Sequence, residues 1–286
     1  MRGTWRIRQF FAKRRLARRA REAVTAVQRF PRIARRESHG LPTELIVTLT
    51  SYPGRFATLA ATIKSLLDQQ ILPDRTVLWL GHDDVAKLPE DVLELASHGL
   101  EIRGCEDIRS FTKLIPAMTE WPGATLVTAD DDVYYPPNWL GGLVEAHRAD
   151  PDNIIAWRAH VARADPEGRL ARYVDWEFAT SRTHVDEPFA ALFPTGVGGV
   201  LYPSGSLHPD VFDQDAFTTL CPRNDDVWFY WMAKRAGTRH SRVDGWIDLI
   251  EWPSSQQIGL RVDNVEGDGN DRQIRAVEGA YGAFPF

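Results

Sequence analysis

Apolar strands alternate with amphipathic helices from residue 44 to residue 150, and this alternation constrains the fold more than any other feature of the chain. Alternation of this kind builds a parallel sheet with helices on both faces. The predicted strands are 45–51, 75–80, 100–102 and 125–130, and the predicted helices are 55–67, 89–97 and 139–148. We therefore predict an α/β fold whose central sheet is mostly parallel, followed by a less regular second half.

Polar residues follow three of the predicted strands. They are Thr50 and Ser51, Asp83 and Asp84, and the run Asp130–Asp132, which we call the acidic loop. Ligands of parallel sheets bind beyond the carboxyl ends of the strands, and these ends lie along one edge. The sequence therefore predicts a nucleotide cleft there, although it contains neither a P-loop nor a G-x-G-x-x-G motif.

The acidic loop has the composition of a metal site. Three adjacent carboxylates at the end of a buried strand are costly unless positive charge is held beside them. In an extended segment, side chains two positions apart point the same way, so Asp130 and Asp132 can converge on one ion. Their oxygens suit Mg²⁺ or Mn²⁺, which commonly hold a substrate diphosphate. A solvated acidic turn is the alternative for an isolated D-x-D pattern.

A second acidic cluster opens a predicted helix in the second half of the chain. The helix begins at Asn224–Asp226 and stops at Gly237. Helix capping and the helix dipole explain one of these acidic residues better than two. A carboxylate at such a helix start can also serve as a general base, and the sequence does not decide between Asp225 and Asp226.

Two further strands and a terminal element complete the second half. Strands are predicted at 153–161 and at 195–203, and the second contains closely spaced glycines. Glycine permits either a tight turn or the close approach of a ligand. The polar tail from residue 259 to residue 274 is predicted to form a flap or closing helix over the site.

The net charge of −5 conceals a basic amino-terminal arm. Residues 1–37 contain 13 Lys or Arg residues and two Glu residues, a local balance of +11. The arm is predicted to be helical for much of its length, and a basic helix with bulky apolar residues can bind an anionic membrane surface. The alternatives are a solvated tail and nucleic-acid binding, and since no nucleic-acid motif follows, we expect no nucleic acid. We place the domain boundary between residues 1–40 and 41–286.

The cysteines and the hydropathy of the chain bear on its expected cellular location. Cys105 and Cys221 have neither metal-ligand spacing nor the density of a disulfide scaffold, as expected for reduced thiols. The sequence has no run of about 18 apolar residues and no secretory signal. We expect a cytoplasmic protein, with a peripheral position on the inner face of the plasma membrane as one option.

Several segments together resemble the bacterial GT-A-fold glycosyltransferases of the family-2-like group, which are often found with capsule or other surface-glycan genes. The segments that resemble this group are Thr48–Arg55, the strand ending at Gly81, Ile108–Pro116, Thr128–Pro136, Gly196–Pro203 and Asn224–Trp228. The resemblance covers about residues 44–275 and leaves the basic arm outside. It implies a Rossmann-like nucleotide-binding half and a less regular acceptor-side half.

The resemblance also implies roles for individual residues. The donor would be a nucleotide-diphosphate sugar, with UDP expected, and the acceptor a hydroxyl of a glycan or lipid-linked molecule. Asp130 and Asp132 would hold Mn²⁺ or Mg²⁺, and Asp225 or Asp226 would be the base of an inverting transfer. The residues implied to lie at the donor are Thr50, Ser51, Arg55, Asp83, Asp84, Lys113, Asp130, Asp131, Gly198 and Gly199.

The chain departs from the family pattern at two points. It lacks the Q-x-x-R-W motif of processive members, which implies transfer of a single sugar. The usual later metal-ligand histidine cannot be placed among His160, His184, His208 and His240. An exostosin-like retaining transferase and a non-catalytic scaffold on the same fold remain alternatives, whereas a nucleotidyltransferase is disfavoured by the missing glycine-rich phosphate loop.

Overall fold

A computed structural model of the protein describes residues 2–165, 167–247, 250–252 and 268–286. Its strands are β1 (Glu37–Ser38), β2 (Leu45–Thr50), β3 (Ile71–Leu72), β4 (Arg75–Gly81), β5 (Leu100–Cys105), β6 (Thr125–Ala129), β7 (Val133–Tyr134), β8 (Ile154–Ala156), β9 (Ala159–Arg163), β10 (Ala190–Pro194), β11 (Val200–Tyr202), β12 (His240–Arg242) and β13 (Ile250–Glu251). Its α-helices are α1 (Arg2–Gln28), α2 (Phe56–Leu67), α3 (His82–Val85), α4 (Glu90–Leu93), α5 (Ile115–Glu120), α6 (Trp139–Ala149), α7 (Gln214–Leu220), α8 (Asp225–Arg235) and α9 (Gly269–Tyr281).

A seven-stranded sheet lies at the centre, with the strand order β12-β8-β11-β6-β2-β4-β5. Strand β11 runs antiparallel to both of its neighbours, and the other neighbouring strands are parallel. The predicted α/β class with a mostly parallel central sheet is therefore confirmed. The strands predicted at 45–51, 75–80 and 125–130 correspond to β2, β4 and β6.

Both faces of the sheet are buried, as a parallel sheet requires. Along β2, Ile46 packs into one apolar cluster while its neighbours Leu45 and Val47 pack into another. Helices α2 and α6 cover the face of Leu45 and Val47, and helices α8 and α9 contribute to the cluster on the face of Ile46. The alternation of side chains along each strand thus divides the core between two helical layers.

The predicted strand at 153–161 is wrong in one respect, because the chain bends at Trp157 and Arg158. Strand β8 stays in the central sheet, whereas β9 leaves it and forms an antiparallel pair with β10, which the sequence did not predict. The predicted strand at 195–203 is shortened to β11, since Gly198 and Gly199 both have a φ of +97° and turn the chain before it.

The predicted helix in the basic arm is confirmed, but its second half is packed against the rest of the protein. Ala23 is 1% exposed and lies in an apolar cluster with Ile250 and Trp252. Beyond the helix, β1 pairs with β3, and Arg32 and Arg36 form ion pairs with Asp68. The boundary placed after residue 40 remains a prediction.

No helix in the described part of the chain is both long enough and apolar enough to cross a membrane.

Helix α9 closes the fold near the carboxyl terminus. Its residues Ile274 and Val277 share an apolar cluster with Trp228 of α8. The helical end predicted for this region is therefore present as a packed element, while the predicted flap over 259–267 lies outside the described residues. Cys105 and Cys221 are both free thiols, as expected.

We expect Gly142→Ala to destabilise the protein although alanine favours helices. A Cβ at Gly142 in α6 would overlap the indole ring of Trp157. Overpacking of this kind costs about 1–3 kcal/mol, against a gain in helix propensity of about 1 kcal/mol. The matched control is Gly141→Ala, where the nearest atom to a Cβ is Ile71 Cγ1 at 3.3 Å, on a movable side chain. The free energy of unfolding measured in urea should be lower for Gly142→Ala than for Gly141→Ala or the protein without substitutions. Equal free energies of unfolding would contradict the expected overlap with Trp157.

Candidate active site

Three strand ends meet at one edge of the sheet, where the acidic loop lies. Leu49 of β2 is opposite Ala129 of β6, and Thr50 is opposite Trp79 of β4. Because these strands are parallel, the residues that follow them leave the sheet side by side. Ser51 and the acidic loop thereby come into direct contact.

Arg55 and Ser51 hold two of the three carboxylates. Arg55 Nη1 donates to Asp132 Oδ2 and lies 3.6 Å from Asp131 Oδ1, while Ser51 Oγ donates to Asp131 Oδ2 at 2.6 Å. Burial raises the pKa of Asp131 to about 6, although the hydrogen bond from Ser51 and the charge of Arg55 oppose this shift. Burial also disfavours the charge of Arg55, but the carboxylates of Asp132 and Asp131 outweigh it and raise the pKa of the guanidinium.

Asp130 faces a different set of neighbours. Its backbone N–H donates to Tyr135 Oη at 2.7 Å, and its Oδ1 lies 3.6 Å from Lys113 Nζ. Burial raises the pKa of Asp130, Lys113 opposes the shift, and the charges of Asp132 and Asp225 add to it. Negative charge at Asp130 is therefore only partly compensated by the protein.

Lys113 lies between the acidic loop and the start of α8. It is 8% exposed, and its Nζ is 2.8 Å from Asp225 Oδ2. Burial lowers its pKa, but the charges of Asp225, Asp130 and Asp226 together raise it well above its usual value. The hydroxyl of Thr48 donates to the backbone oxygen of Lys113 at 2.7 Å, which attaches this lysine to β2.

Asp226 has an environment suited to proton transfer. Its Oδ1 accepts the N–H of Gly196 at 2.9 Å, and it is partly exposed to solvent. The surrounding protein desolvates its carboxylate, and this together with the charge of Asp225 raises its pKa to about 7. Asn224 caps α8 by accepting the N–H of Val227 at 3.3 Å, so the two aspartates following it are available for other roles.

The glycine-rich segment reaches the site through Gly196. A Cβ at Gly196 would be 2.7 Å from Lys113 Nζ and 3.1 Å from Asp226 Oδ1, so only glycine fits there without displacing them. Gly198 and Gly199 instead pack against Trp139, whose Nε1 donates to Gly198 O at 2.6 Å. Contact of Gly198 and Gly199 with a donor remains a prediction.

Other predicted donor residues lie apart from this cluster. Asp83 and Asp84 are in the short helix α3, where Asp84 pairs with the exposed Lys87. Within the described chain, no hydrogen bond or ion pair joins either aspartate to the acidic loop. Thr50 uses its hydroxyl inside the sheet, donating to Trp79 O at 3.0 Å. Their predicted contacts with a nucleotide are untested.

The four candidate histidines are engaged elsewhere. His160 Nδ1 accepts the N–H of Ala179 at 2.9 Å, and His208 Nδ1 accepts the N–H of Asp210. His184 contacts Ser241 and Asp150, and His240 stacks on Tyr230. None of these contacts involves the acidic loop.

The oxygen ligands of the acidic loop are of the type that suits a divalent cation. Asp130 and Asp132 supply carboxylate oxygens, the ligands that Mg²⁺ and Mn²⁺ prefer. In the described residues, no group of three or more His, Cys, Asp or Glu side chains could hold a metal ion by itself. Mg²⁺ usually binds through one or two carboxylates, with phosphate oxygens and water as its other ligands. A cation at Asp132 would share this carboxylate with Arg55 or displace it.

Sequence reasoning missed the residues that support the site from a distance. Gly196 was expected only as part of the glycine-rich segment lining the sugar and acceptor region, without its contacts to Lys113 and Asp226, and Tyr135 was not connected with the backbone of Asp130. Thr62 Oγ1 donates to Asp131 O at 2.9 Å, and the N–H of Trp252 donates to Asp132 O at 3.1 Å. The tyrosine lies within the acidic segment itself and could have been found, whereas Thr62 and Trp252 reach the loop only through tertiary contacts.

Comparisons with known proteins give structural likeness only. No protein-family model matches the chain, and no curated protein sequence is found as a relative. The chain is similar to TarS 1-349 from S. aureus, with 12% identity and a TM-score of 0.48, over 73% of this chain and 60% of that one. This chain thus spans less than two thirds of that TarS structure.

Two further solved structures show comparable likeness. The mannosyltransferase PcManGT from Pyrobaculum calidifontis, in complex with GDP-Man and Mn²⁺, is 11% identical with a TM-score of 0.49, over 93% of this chain and 72% of that one. A 4-diphosphocytidyl-2C-methyl-D-erythritol synthase is 13% identical with a TM-score of 0.44, over 76% of this chain and 95% of that one. All three TM-scores are below 0.5, and the last two structures are of a mannosyltransferase and a synthase, so the function has to be inferred from the residues of the site.

We expect Lys113→Met to destabilise the protein by about 3–5 kcal/mol at pH 8, because it leaves buried carboxylates without their cation. The cost should shrink towards pH 5. Lys113 opposes the raised pKa values of Asp130 and Asp226, so its removal should raise them further. The folded variant then gains more stability from protonation than the unchanged protein as the pH falls. The measurement is the free energy of unfolding at both pH values.

The control for this substitution is Lys87→Met, which removes an exposed ion pair with Asp84. Exposed pairs contribute little to stability, so we expect no appreciable change at either pH. A Lys113→Met variant as stable as Lys87→Met at pH 8 would show that the buried cation does not hold the acidic groups together.

Proposed function

We propose that the protein is an inverting, metal-dependent glycosyltransferase of the GT-A type. It would transfer a single sugar from a nucleotide-diphosphate donor, with UDP expected, to a hydroxyl of a glycan or lipid-linked acceptor in bacterial surface polysaccharide synthesis. The observation that supports this most directly is the position of Lys113 between two acidic sites. The acidic loop on one side can hold a diphosphate through a cation, and Asp226 on the other side can accept a proton.

We assign the base to Asp226 and not to Asp225. Asp225 is ion-paired with Lys113 and buried, so its charge is committed to stabilising the lysine. Asp226 is partly exposed and has a pKa of about 7. A general base is most efficient when its pKa is near the working pH.

The donor end of the site combines acidic and basic groups. Asp130 and Asp132 would hold Mn²⁺ or Mg²⁺, which when bound supplies Lewis-acid stabilisation of the leaving diphosphate. Arg55 forms an ion pair with Asp132, and Lys113 Nζ lies 3.6 Å from Asp130 Oδ1, so each of these two carboxylates has a cation beside it. A diphosphate entering this region therefore meets protein cations as well as carboxylates.

The transfer needs one proton acceptor. The acceptor hydroxyl forms a bond to the anomeric carbon as the bond from that carbon to the diphosphate oxygen breaks, and the hydroxyl proton passes to Asp226. Attack from the face opposite the leaving group inverts the anomeric carbon, so no covalent sugar intermediate is required. The anomeric configuration of the product, read by NMR, separates this reaction from a retaining exostosin-like transfer.

We expect the full-length protein to release nucleoside diphosphate from at least one member of a panel of UDP- and GDP-sugars in the presence of Mn²⁺. Asp226→Asn keeps an oxygen for the Gly196 N–H but cannot take up the proton. It should lower kcat/KM about 100- to 10,000-fold while donor binding persists. In the unchanged protein, kcat/KM should fall about tenfold per pH unit below the Asp226 pKa of about 7, because the base is then protonated.

The control separates binding from chemistry. Asp130→Asn and Asp132→Asn should abolish the Mn²⁺-dependent rise in melting temperature with the nucleoside diphosphate, whereas Asp226→Asn should retain it. Donor binding without turnover of any donor would favour the non-catalytic scaffold. Full activity of Asp226→Asn would reject the assigned base.

We also propose that the basic arm holds the protein against an anionic membrane at the cytoplasmic face. Arg14, Arg15 and Arg18 are exposed near the middle of α1, whereas the apolar residues Val24 and Val27, nearer its carboxyl end, pack against the rest of the protein. Among the described side chains of the arm, these arginines would supply an electrostatic attraction. Surface arginines add about 1 kcal/mol each at an anionic membrane.

Replacing Arg14, Arg15 and Arg18 together by Gln should weaken binding to phosphatidylglycerol vesicles about 100-fold at low salt, as expected for a loss of about 1 kcal/mol per arginine. The matched control replaces three cations elsewhere on the surface, Lys87, Arg163 and Arg169, and should change vesicle binding little. Sedimentation with vesicles measures both. Equal losses in the two triple variants would show that the arm has no special role.

A further inference from the structure

Two side chains support the acidic loop from behind without belonging to the set of charged groups. Thr62 of α2 is fully buried, and its hydroxyl donates to Asp131 O at 2.9 Å. Trp252 is 4% exposed, and its indole Nε1 donates to the same Thr62 hydroxyl at 2.8 Å. The backbone N–H of Trp252 donates to Asp132 O at 3.1 Å. Thr62 and Trp252 therefore hold the carbonyl oxygens of two consecutive acidic residues.

The strand pair that leads to Trp252 continues this support. Strand β13 is antiparallel to β7, with Glu251 opposite Val133 and Ile250 opposite Tyr134, and β7 begins directly after the acidic loop. The rings of Trp252 and Tyr134 meet edge to face with their centroids 6.0 Å apart. The chain on the carboxyl side of the loop is thus fixed by both hydrogen bonds and packing.

Helix α1 covers this arrangement. Ala23 is 1% exposed and packs in one apolar cluster with Ile250 and Trp252, and Val24 and Val27 lie at its margin. The small side chain of Ala23 brings the helix close to the tryptophan. A segment that begins the chain therefore holds a residue near its end in place behind the acidic loop.

We propose that Thr62 and Trp252 are positioning residues for the acidic loop, and that the packing of α1 keeps Trp252 in position. Three adjacent carboxylates repel one another, and the strength of this repulsion grows as solvent is excluded. Hydrogen bonds to Asp131 O and Asp132 O oppose the opening of the loop that this repulsion favours. The expected effect on donor binding rests on the proposed function. If that function holds, the basic arm contributes to donor binding in addition to the proposed membrane attachment.

The test compares Thr62→Val with Thr62→Ser in the full-length protein. Valine matches threonine in shape but removes the hydroxyl that accepts from the indole Nε1 of Trp252 and donates to Asp131 O, whereas serine keeps this hydroxyl. Hydrogen–deuterium exchange of a peptide covering residues 130–135 should become at least tenfold faster in Thr62→Val and stay near the original rate in Thr62→Ser. Exchange reports the loop itself and requires no ligand.

Affinity for UDP and GDP, each with Mn²⁺, supplies the second measurement. Loss of a group that orients metal ligands typically costs about 10- to 100-fold in metal affinity, and we expect Thr62→Val to lose that much. Thr62→Ser should remain within about threefold. A general loss of stability would instead change the melting temperature without separating the two variants in affinity.

The role of α1 is tested with two substitutions on one helix. Ala23→Gln places a larger side chain under α1, at its contact with Trp252, while Ala17→Gln makes the same change at an exposed position. Ala23→Gln should accelerate exchange of residues 130–135 and weaken nucleotide binding severalfold, and Ala17→Gln should do neither.

Each outcome decides one of the two proposals. Unchanged exchange of residues 130–135 in both Thr62→Val and Ala23→Gln would overturn the positioning role. If exchange is faster in those variants but the protein without substitutions binds neither UDP nor GDP, the positioning role is supported and the proposed function is rejected. Faster exchange with full nucleotide affinity would show that the support does not act on binding.

Discussion

The candidate site depends on a buried cation, Lys113, held between carboxylates from two distant parts of the chain. Its Nζ lies 2.8 Å from Asp225 and 3.6 Å from Asp130, and with Arg55 it opposes the five aspartates at positions 130–132, 225 and 226. Lys113 and Arg55 offset only part of the negative charge of these aspartates, and burial makes the remainder expensive. This cost appears as the raised pKa values of Asp130, Asp131 and Asp226, because burial disfavours their charged forms. A divalent cation bound at the acidic loop would offset part of the negative charge there.

The part of the fold that could be predicted from sequence is the part built from local patterns. Strands β2, β4 and β6 are short apolar runs that alternate with segments of helical periodicity, so the sequence predicts both their strand conformation and their order along the chain. The bend at Trp157 and the hairpin of β9 and β10 were missed for a physical reason. A continuous apolar run looks the same whether it stays in one sheet or leaves it, and what diverts it is the packing of Trp157 on α6, which sequence periodicity does not contain.

The candidate site divides in a similar way. The acidic loop and the aspartates of α8 could be expected from sequence because charge at a strand end or helix start is conspicuous. Asp83 and Asp84 also follow a strand directly, but they lie in α3 and form no hydrogen bond or ion pair with the acidic groups around Lys113 in the described structure. A position after a strand is therefore not enough to place an aspartate in the site. Thr62 and Trp252 have no signature, since a buried threonine and a tryptophan are ordinary core residues until tertiary contacts put both behind one loop.

The antiparallel direction of β11 has a consequence for how such a protein can diversify. Strand β11 begins beside the end of β6, with Val200 opposite Thr128. The segment before β11, which contains Gly196, therefore lies at the same sheet edge as the acidic loop. The segment between β9 and β10 begins and ends on a hairpin beside the central sheet, so its length can change over evolutionary time without altering the strand order. Insertions or deletions in this segment would therefore leave in place the strands that end at the acidic loop.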